Sequence, residues 1–327
     1  MRHAVRRRRP GRIMVAAIAI VAAGAIAIAI VVAAALPRRP PPDGPLRLPL
    51  PTTPQSYLGV YADGVPASYT GVRSFSKAAG VKPDIIMYYS GWYEPFQTRL
   101  AAVAASSGAV PLIQIDPAGI SLAAIAAGQY DAYLSAYAEA VRAYRHPVVL
   151  SFGHEMNGSW YPWGYRHTSP GTFVAAWRHI VKVFRALGAR NVTWLWTVNV
   201  INDTPDGRIP RPAAWWPGSS YVNWVGIDGY YLKPNWAFVP LFGPTIAAVR
   251  ELTRDPILIA ETGAVPAAGQ SGKIADLFAG IRTYGLLGFV WFDSTNPLNH
   301  EDYHLDTPAA IAAFREGAEQ TYKRPAS

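Results

Sequence analysis

Two glutamates, and the aromatic residues around one of them, are the groups in this chain best suited to chemistry. Residues 151–164 read Ser-Phe-Gly-His-Glu-Met-Asn-Gly-Ser-Trp-Tyr-Pro-Trp-Gly. The apolar run Val148–Leu150 leads into them and reads as a buried strand, so Glu155 falls where that strand should end. Asn157, Trp160, Tyr161 and Trp163 follow it. Aromatic faces stack on the C–H side of a pyranose, while an acid beside them can work on the glycosidic oxygen. A second acid, Glu261, follows the apolar run Ile257–Ala260. Paired carboxylates about 5–5.5 Å apart perform retaining glycoside hydrolysis, one as nucleophile and the other as acid/base. Either glutamate taken singly is as readily a salt-bridge partner or a cap. Both at facing strand ends beside tryptophan is a pattern that packing does not require.

The elements that must position them form a regular alternation. Short apolar runs occur at Tyr57–Tyr61, Ile85–Tyr89, Val110–Ile115, Val148–Phe152, Val192–Val198, Val222–Ile227, Ile257–Ala260 and Gly288–Phe292. Many are apolar at consecutive positions, as parallel strands covered on both faces require. Helical patterns fall between them, at Phe96–Ser106, Ala132–Tyr144, Thr172–Leu187, Thr245–Leu252, Ile274–Tyr284 and Thr307–Glu319. The first connection has no clear pattern. The fifth, Ile201–Tyr221, is rich in Pro and Trp rather than helical. Eight such strands predict an α/β fold of the (β/α)8 TIM barrel type, whose usual size is about 250 residues. A doubly wound open sheet is the alternative, but neither G-x-G-x-x-G nor G-x-x-x-x-G-K-[ST] occurs to support it. In a barrel, function collects at the carboxyl ends of the strands. There the chain places Trp92, Gln114, Asp116, Glu155, Asn199, Asp228, Glu261 and Asp293. Strands 4 and 7, which bear the two glutamates, face each other across a barrel.

His154-Glu155-Met156-Asn157-Gly158 with Trp160, then Tyr161-Pro162-Trp163, resembles the acid/base segment of glycoside hydrolase family 26. Ile259-Ala260-Glu261-Thr262-Gly263 resembles that family's nucleophile segment, and Val225-Gly226-Ile227-Asp228-Gly229-Tyr230 its sixth-strand segment. The resemblance runs through essentially all of residues 56–327. It implies a clan A barrel and a retaining mechanism, chiefly endo-β-1,4-mannanase activity, with mixed-linkage β-glucanase and β-1,3-xylanase as minority types. It implies Glu155 as acid/base and Glu261 as nucleophile, with Tyr230 orienting Glu261. It further implies His154 bonded to the nucleophile or the sugar, and Trp160 and Trp291 bordering the sugar at the cleavage point. Trp92, Asn157, Asp116 and Trp163 join these as candidate substrate-contacting residues. Mannanases of the family are expected to place a histidine near an early strand end. This chain has none between His3 and His146 and carries Gln114 and Asp116 in that neighbourhood, which bears on the sugar rather than on the reaction.

Composition narrows the rest. The absence of cysteine excludes disulfides, thiolate nucleophiles and cysteine metal sites. Of the net charge of +9, almost all lies in residues 1–47, where nine arginines meet the single acid Asp43. The remainder is nearly neutral, which argues against a nucleic-acid partner. Arg6–Arg9 and Arg12 precede an unbroken apolar run of 24 residues, Ile13–Leu36. That run is long enough, at about 1.5 Å per residue, to cross a hydrocarbon core of roughly 30 Å. The expected organisation is therefore a basic cytoplasmic segment at 1–12 and a transmembrane signal anchor or signal peptide at 13–36. A Pro-rich linker at 37–55 and a catalytic domain at 56–327 follow. The catalytic domain is expected to be monomeric, on the extracellular side of the membrane or secreted, with a polysaccharide as partner. No cofactor and no metal are expected: position 158 is Gly, so H-E-x-x-H fails, and His300 and His304 read as a solvated polar loop. A G-x-S-x-G nucleophile elbow is absent.

Overall fold

Eight parallel strands close on themselves in a computed structural model that describes residues 50–204, 207–296 and 300–322. In chain order the elements are β1 (Tyr57–Ala62), α1 (Thr70–Ala79), β2 (Ile85–Gly91), α2 (Thr98–Ser106), β3 (Val110–Asp116), α3 (Leu122–Ala126), α4 (Asp131–Tyr144) and β4 (Val148–Phe152). Then come α5 (Pro170–Ala186), β5 (Val192–Asn199), β6 (Trp224–Asp228), α6 (Phe238–Arg250), β7 (Ile257–Thr262), α7 (Gln270–Thr283), β8 (Gly288–Asp293) and α8 (Pro308–Thr321). Each strand pairs with its chain neighbours, and β1 pairs with both β2 and β8 to close the ring. This is the expected (β/α)8 architecture.

The connections differ from expectation in two places. The first contains the helix α1, terminated by Gly80 in the left-handed region (φ 72°), whose N–H donates to the Ser76 carbonyl. Glycine takes that conformation without the clash a Cβ brings. Helix α6 starts at Phe238, seven residues before the predicted Thr245, and carries Pro244 in its interior. The prolines of Phe238–Pro244 obscure the helical pattern, while burial of Phe238, Leu241 and Phe242 holds the turn in place. The fifth connection is non-helical as expected. It holds a short hairpin, Asp203–Thr204 with Gly207–Arg208, and two 3-10 turns at Pro212–Trp215 and Ser219–Tyr221.

Side chains alternate between the barrel interior and the helix layer, with the period of two that a strand imposes. Ile85, Met87, Leu112, Val149, Leu195, Leu258 and Val290 fill the interior. Trp224 joins them, 1% exposed with its ring 5.0 Å from Tyr57, so it packs in the core as its place inside a strand suggests. Outward residues such as Ile113, Leu150, Ile227 and Phe289 pack on the helices. Burying each such side chain contributes roughly 1.5–3 kcal/mol.

One irregularity matters for function. Ile227 of β6 pairs with Ile259 of β7, but the next residue, Asp228, pairs with Glu261. On the other side Phe289 pairs with Ile259 while Trp291 pairs with Thr262. A bulge at Ala260 therefore adds one residue to β7. Leu258 and Ala260 both face inward, so strict alternation would turn Glu261 outward. The extra residue returns it to the interior beside Asp228.

Residues 1–49 lie outside the described residues, and with them the expected segments 1–12 and 13–36 and most of 37–55. Among the described residues no helix is long and apolar enough to cross a membrane.

Candidate active site

Glu155 and Glu261 reach the same cleft from opposite sides of the barrel, each only 7% exposed. The cleft encloses about 330 Å³ and is bordered by Trp160, Tyr161, Asn199, Tyr230, Trp236 and Tyr303 among others.

Glu155 sits just beyond β4 on strained backbone. Gly153 and Glu155 both have positive φ, 55° and 54°. For a glutamate such a conformation costs on the order of 1–3 kcal/mol and persists only where the surroundings impose it. Here the Gly153 N–H donates to the Ile115 carbonyl at 2.9 Å and the Glu155 N–H to the Thr197 carbonyl at 3.0 Å. The turn is thus clamped between β3 and β5. The Glu155 carboxylate accepts from the indole Nε1 of Trp160 at 2.7 Å and from the side-chain amide of Asn199. Asn199 is itself fixed by Asn157, whose Oδ1 accepts the Asn199 N–H at 2.8 Å and whose Nδ2 donates to the Asn199 carbonyl at 2.9 Å.

Gly158 makes the Trp160 contact possible. A Cβ there would lie 2.3 Å from the Trp160 ring, so Gly158→Ala is expected to dislodge the indole from Glu155. Turnover should fall roughly tenfold through loss of positioning, with an unchanged circular dichroism spectrum. Wild-type kcat in that variant would show that the indole bond is dispensable.

Glu261 is held differently. Its two carboxylate oxygens accept from two phenols, Tyr89 of β2 and Tyr230 after β6. Burial first, then the charge of Glu261, pushes both phenols well above the usual tyrosine range, so they keep the protons they donate. Burial, followed by the charge of Glu155, pushes Glu261 up to about 7, while His154, Tyr230 and Tyr89 pull it down. Between Asn199 and Glu261 lies Asp228, register partner of both. It is fully buried, and neither of its oxygens has a hydrogen-bond partner among the described residues. Burial, then Glu261 and Glu155, pushes it well above the carboxylate range and favours the neutral acid.

His154 is 2% exposed, and its ring does not bond Glu261. Its Nδ1 lies 3.0 Å from Asp116 Oδ1 and its Nε2 3.1 Å from the Tyr161 hydroxyl. Burial opposes its charge, yet the Asp116 carboxylate, supported by Glu155 and Glu261, pushes it up to about 9.

The remaining candidates separate into those at the cleft and those behind it. Trp160, 43% exposed, borders the cleft. Asn157 is fully buried and acts on Asn199 rather than on a sugar. Trp163, 2% exposed, stacks on Tyr161 at 4.4 Å and donates its indole N–H to the His154 carbonyl, bracing that histidine from behind. Asn157 and Trp163 thus support the site rather than border it, and two further expectations are corrected. Trp291 does not border the cleft: it points outward from β8, fully buried against Phe314 of α8, with its indole N–H on the Tyr303 carbonyl. Its neighbour Phe292 is directed to the site instead, stacked on Tyr61 at 4.7 Å. Trp92 likewise packs into the helix layer, among Tyr130, Tyr133 and Phe152. In both cases strand parity decides: β2 turns Ile85, Met87 and Tyr89 inward, and β8 turns Val290 and Phe292 inward.

That parity is also the signal for Tyr89, which sequence reasoning passed over as the apolar end of a strand. His304, in the loop after β8, lies between Asp302 (2.7 Å from Nδ1) and Asp63 (3.1 Å from Nε2), joining the loops after β1 and β8. Among the described residues no group of three or more His, Asp or Glu is arranged to hold a metal ion.

Comparison with known proteins agrees with this fold. Residues 120–266 match the profile of Glycosyl hydrolase family 26. Endoglucanase H of Acetivibrio thermocellus is 32% identical over 274 residues, covering 77% of this chain, though the chain spans only 29% of that protein. Mannan endo-1,4-beta-mannosidase A and B of Caldalkalibacillus mannanilyticus is 28% identical over 89 residues, covering 25% of this chain and 16% of that protein. Among solved structures, the catalytic domain of a Bacillus sp. JAMB-750 endo-beta-1,4-mannanase superposes with a TM-score of 0.62 at 15% identity. That match covers 81% of this chain and 86% of the other, and it bears on the fold. With its barrel, its matched segment and its paired glutamates, the chain belongs to glycosyl hydrolase family 26.

Proposed function

We propose that the chain is a retaining endo-β-glycanase acting first on β-1,4-mannan, with Glu261 as nucleophile and Glu155 as acid/base. The observation that carries this reading is the pair of buried carboxylates on β7 and after β4, each held by two donors and facing one aromatic-lined cleft. Glu261 attacks the anomeric carbon while Glu155 gives its proton to the departing glycosidic oxygen. Glu155 then takes a proton from the water that hydrolyses the glycosyl-enzyme ester. The phenols of Tyr89 and Tyr230 aim both Glu261 oxygens and favour its ionised form. Trp160 and Asn199 fix Glu155 without sealing it from the leaving group.

Mannan is supported by the mannosidase relative and by the main activity of the family. A mixed-linkage β-glucan is the second reading. It is favoured by the longer match to Endoglucanase H and by Asp116 in the neighbourhood where a mannanase histidine is expected. The test is incubation of the full-length protein with β-mannan, mixed-linkage β-glucan and β-1,3-xylan, following the first-formed anomer by NMR. Retention gives the β-anomer first. Absence of new reducing ends on all three polymers, or an α-anomer formed first, would sink the proposal.

The arginine-flanked run 13–36 supports a further part of this reading, a membrane anchor that holds the barrel outside the cell through the proline-rich segment 37–55. Membrane fractionation with N-terminal sequencing tests it. A mature chain beginning after residue 36 would replace the anchor with a cleaved signal.

A further inference from the structure

We infer that Asp116 is a positioning residue for the reaction, clamping the His154 ring against Tyr161 as a fixed cation beside the two glutamates. This rests on Glu155 and Glu261 being the reacting pair. Sequence reasoning places Asp116 among the sugar-contacting residues, whereas its carboxylate Oδ1 meets a ring nitrogen of a buried histidine at 3.0 Å. An ionised carboxylate only accepts, so Nδ1 carries hydrogen. The other nitrogen faces the Tyr161 hydroxyl at 3.1 Å, so the ring can rotate toward neither carboxylate of the pair.

The titratable groups around it come from four strands: Tyr89 from β2, Asp116 from β3, Glu155 and Tyr161 from beyond β4, and Glu261 from β7. Three of them are carboxylates, and His154 is the basic group they surround. A buried cation among carboxylates stabilises their ionised forms. The ring of His154 lies 5.6 Å from that of Tyr89, which donates to Glu261. The rise of His154 to about 9, and its downward pull on Glu261, agree with this arrangement.

Asp116 thus reaches Glu261 through His154. Without Asp116, burial favours the neutral imidazole, and Glu261 loses one of the influences that keep it ionised.

The test is the isosteric variant Asp116→Asn in the full-length protein, with two readouts. In the first, NMR titration of the His154 ring should show its midpoint falling by more than one pH unit relative to wild type. In the second, the acidic limb of kcat/KM should move to higher pH by roughly one unit, with kcat down roughly 10- to 100-fold and KM little changed. Asp116→Glu, which keeps the charge, should recover part of the wild-type limb. A raised KM with the acidic limb in place would make Asp116 a sugar contact and overturn the proposal, as would an unchanged His154 titration. The NMR readout needs no turnover. It decides the Asp116–His154 link even if the wild-type protein cleaves none of the polysaccharides, an outcome that would sink the hydrolase reading by itself.

Discussion

Glu261→Ala is expected to cut turnover of the responsive polysaccharide by roughly 10⁴-fold or more, because among the described residues no other group is placed to attack the anomeric carbon. The alanine leaves a space on the nucleophile side of the sugar. Azide entering it should attack an activated aryl β-glycoside directly and yield an α-glycosyl azide, an inverted product. A rescued product of β configuration would exchange the roles of the two glutamates. The same residue makes a prediction about stability. Its carboxyl stands at about 7 in the folded protein, against an ordinary 4.5. Its folded-state pKa is raised, so its stabilising contribution is complete below about 4.5 and disappears as pH rises through about 7. Glu261→Gln, which cannot ionise, should therefore be the more stable protein at pH 8, by on the order of 3 kcal/mol. The gap should close by pH 4. Thermal unfolding of both proteins across that range checks it, and a gap that does not vary with pH would contradict it.

The second large effect belongs to Glu155. Glu155→Ala should slow cleavage of the polysaccharide by roughly 10²–10⁴-fold, the range for losing a general acid. A dinitrophenyl glycoside, whose leaving group needs no proton, should still form the glycosyl-enzyme at close to the wild-type rate. The ester then accumulates, because no base activates the water, and a burst of dinitrophenol followed by slow turnover should be visible. Azide admitted on this side of the sugar gives a β-glycosyl azide, the opposite configuration to that from the Glu261 variant. Equal losses on good and poor leaving groups would remove Glu155 from the acid role. The paired variants thus assign each glutamate by product stereochemistry, independently of rate.

The barrel was legible because its strands are short apolar runs covered on both faces, and because both glutamates fall at run ends. Glu155 was legible from its neighbours: Gly158 and Trp160, spaced two apart, are what bring an indole N–H back onto its carboxylate. What stayed hidden depends on facing. Trp92 and Trp291 stand at the correct end of the barrel but on its outer side. A sequence lists both faces without saying which is which until a register is known. Tyr89 was hidden for the complementary reason, as a strand residue whose phenol acts within the barrel. Helix α6 looks shorter in the sequence than it is because Pro240 and Pro244 oppose helix formation locally, while burial of its first turn overrides them.

The bulge at Ala260 also bears on how such a site could be transferred. In a barrel with regular β7 pairing, a glutamate written at the position of Glu261 would point into the helix layer, away from Tyr89 and Tyr230. No substitution of side chains alone would bring it back, because its direction is set by the count of residues between Ile259 and the β6 partner. A graft of this active site into a regular strand must therefore either carry the inserted residue or write the glutamate one position earlier, directly after the counterpart of Ile259. Conversely, deleting Ala260 should make the pairing of β7 regular and leave Glu261 inward, directly after Ile259 and opposite Asp228.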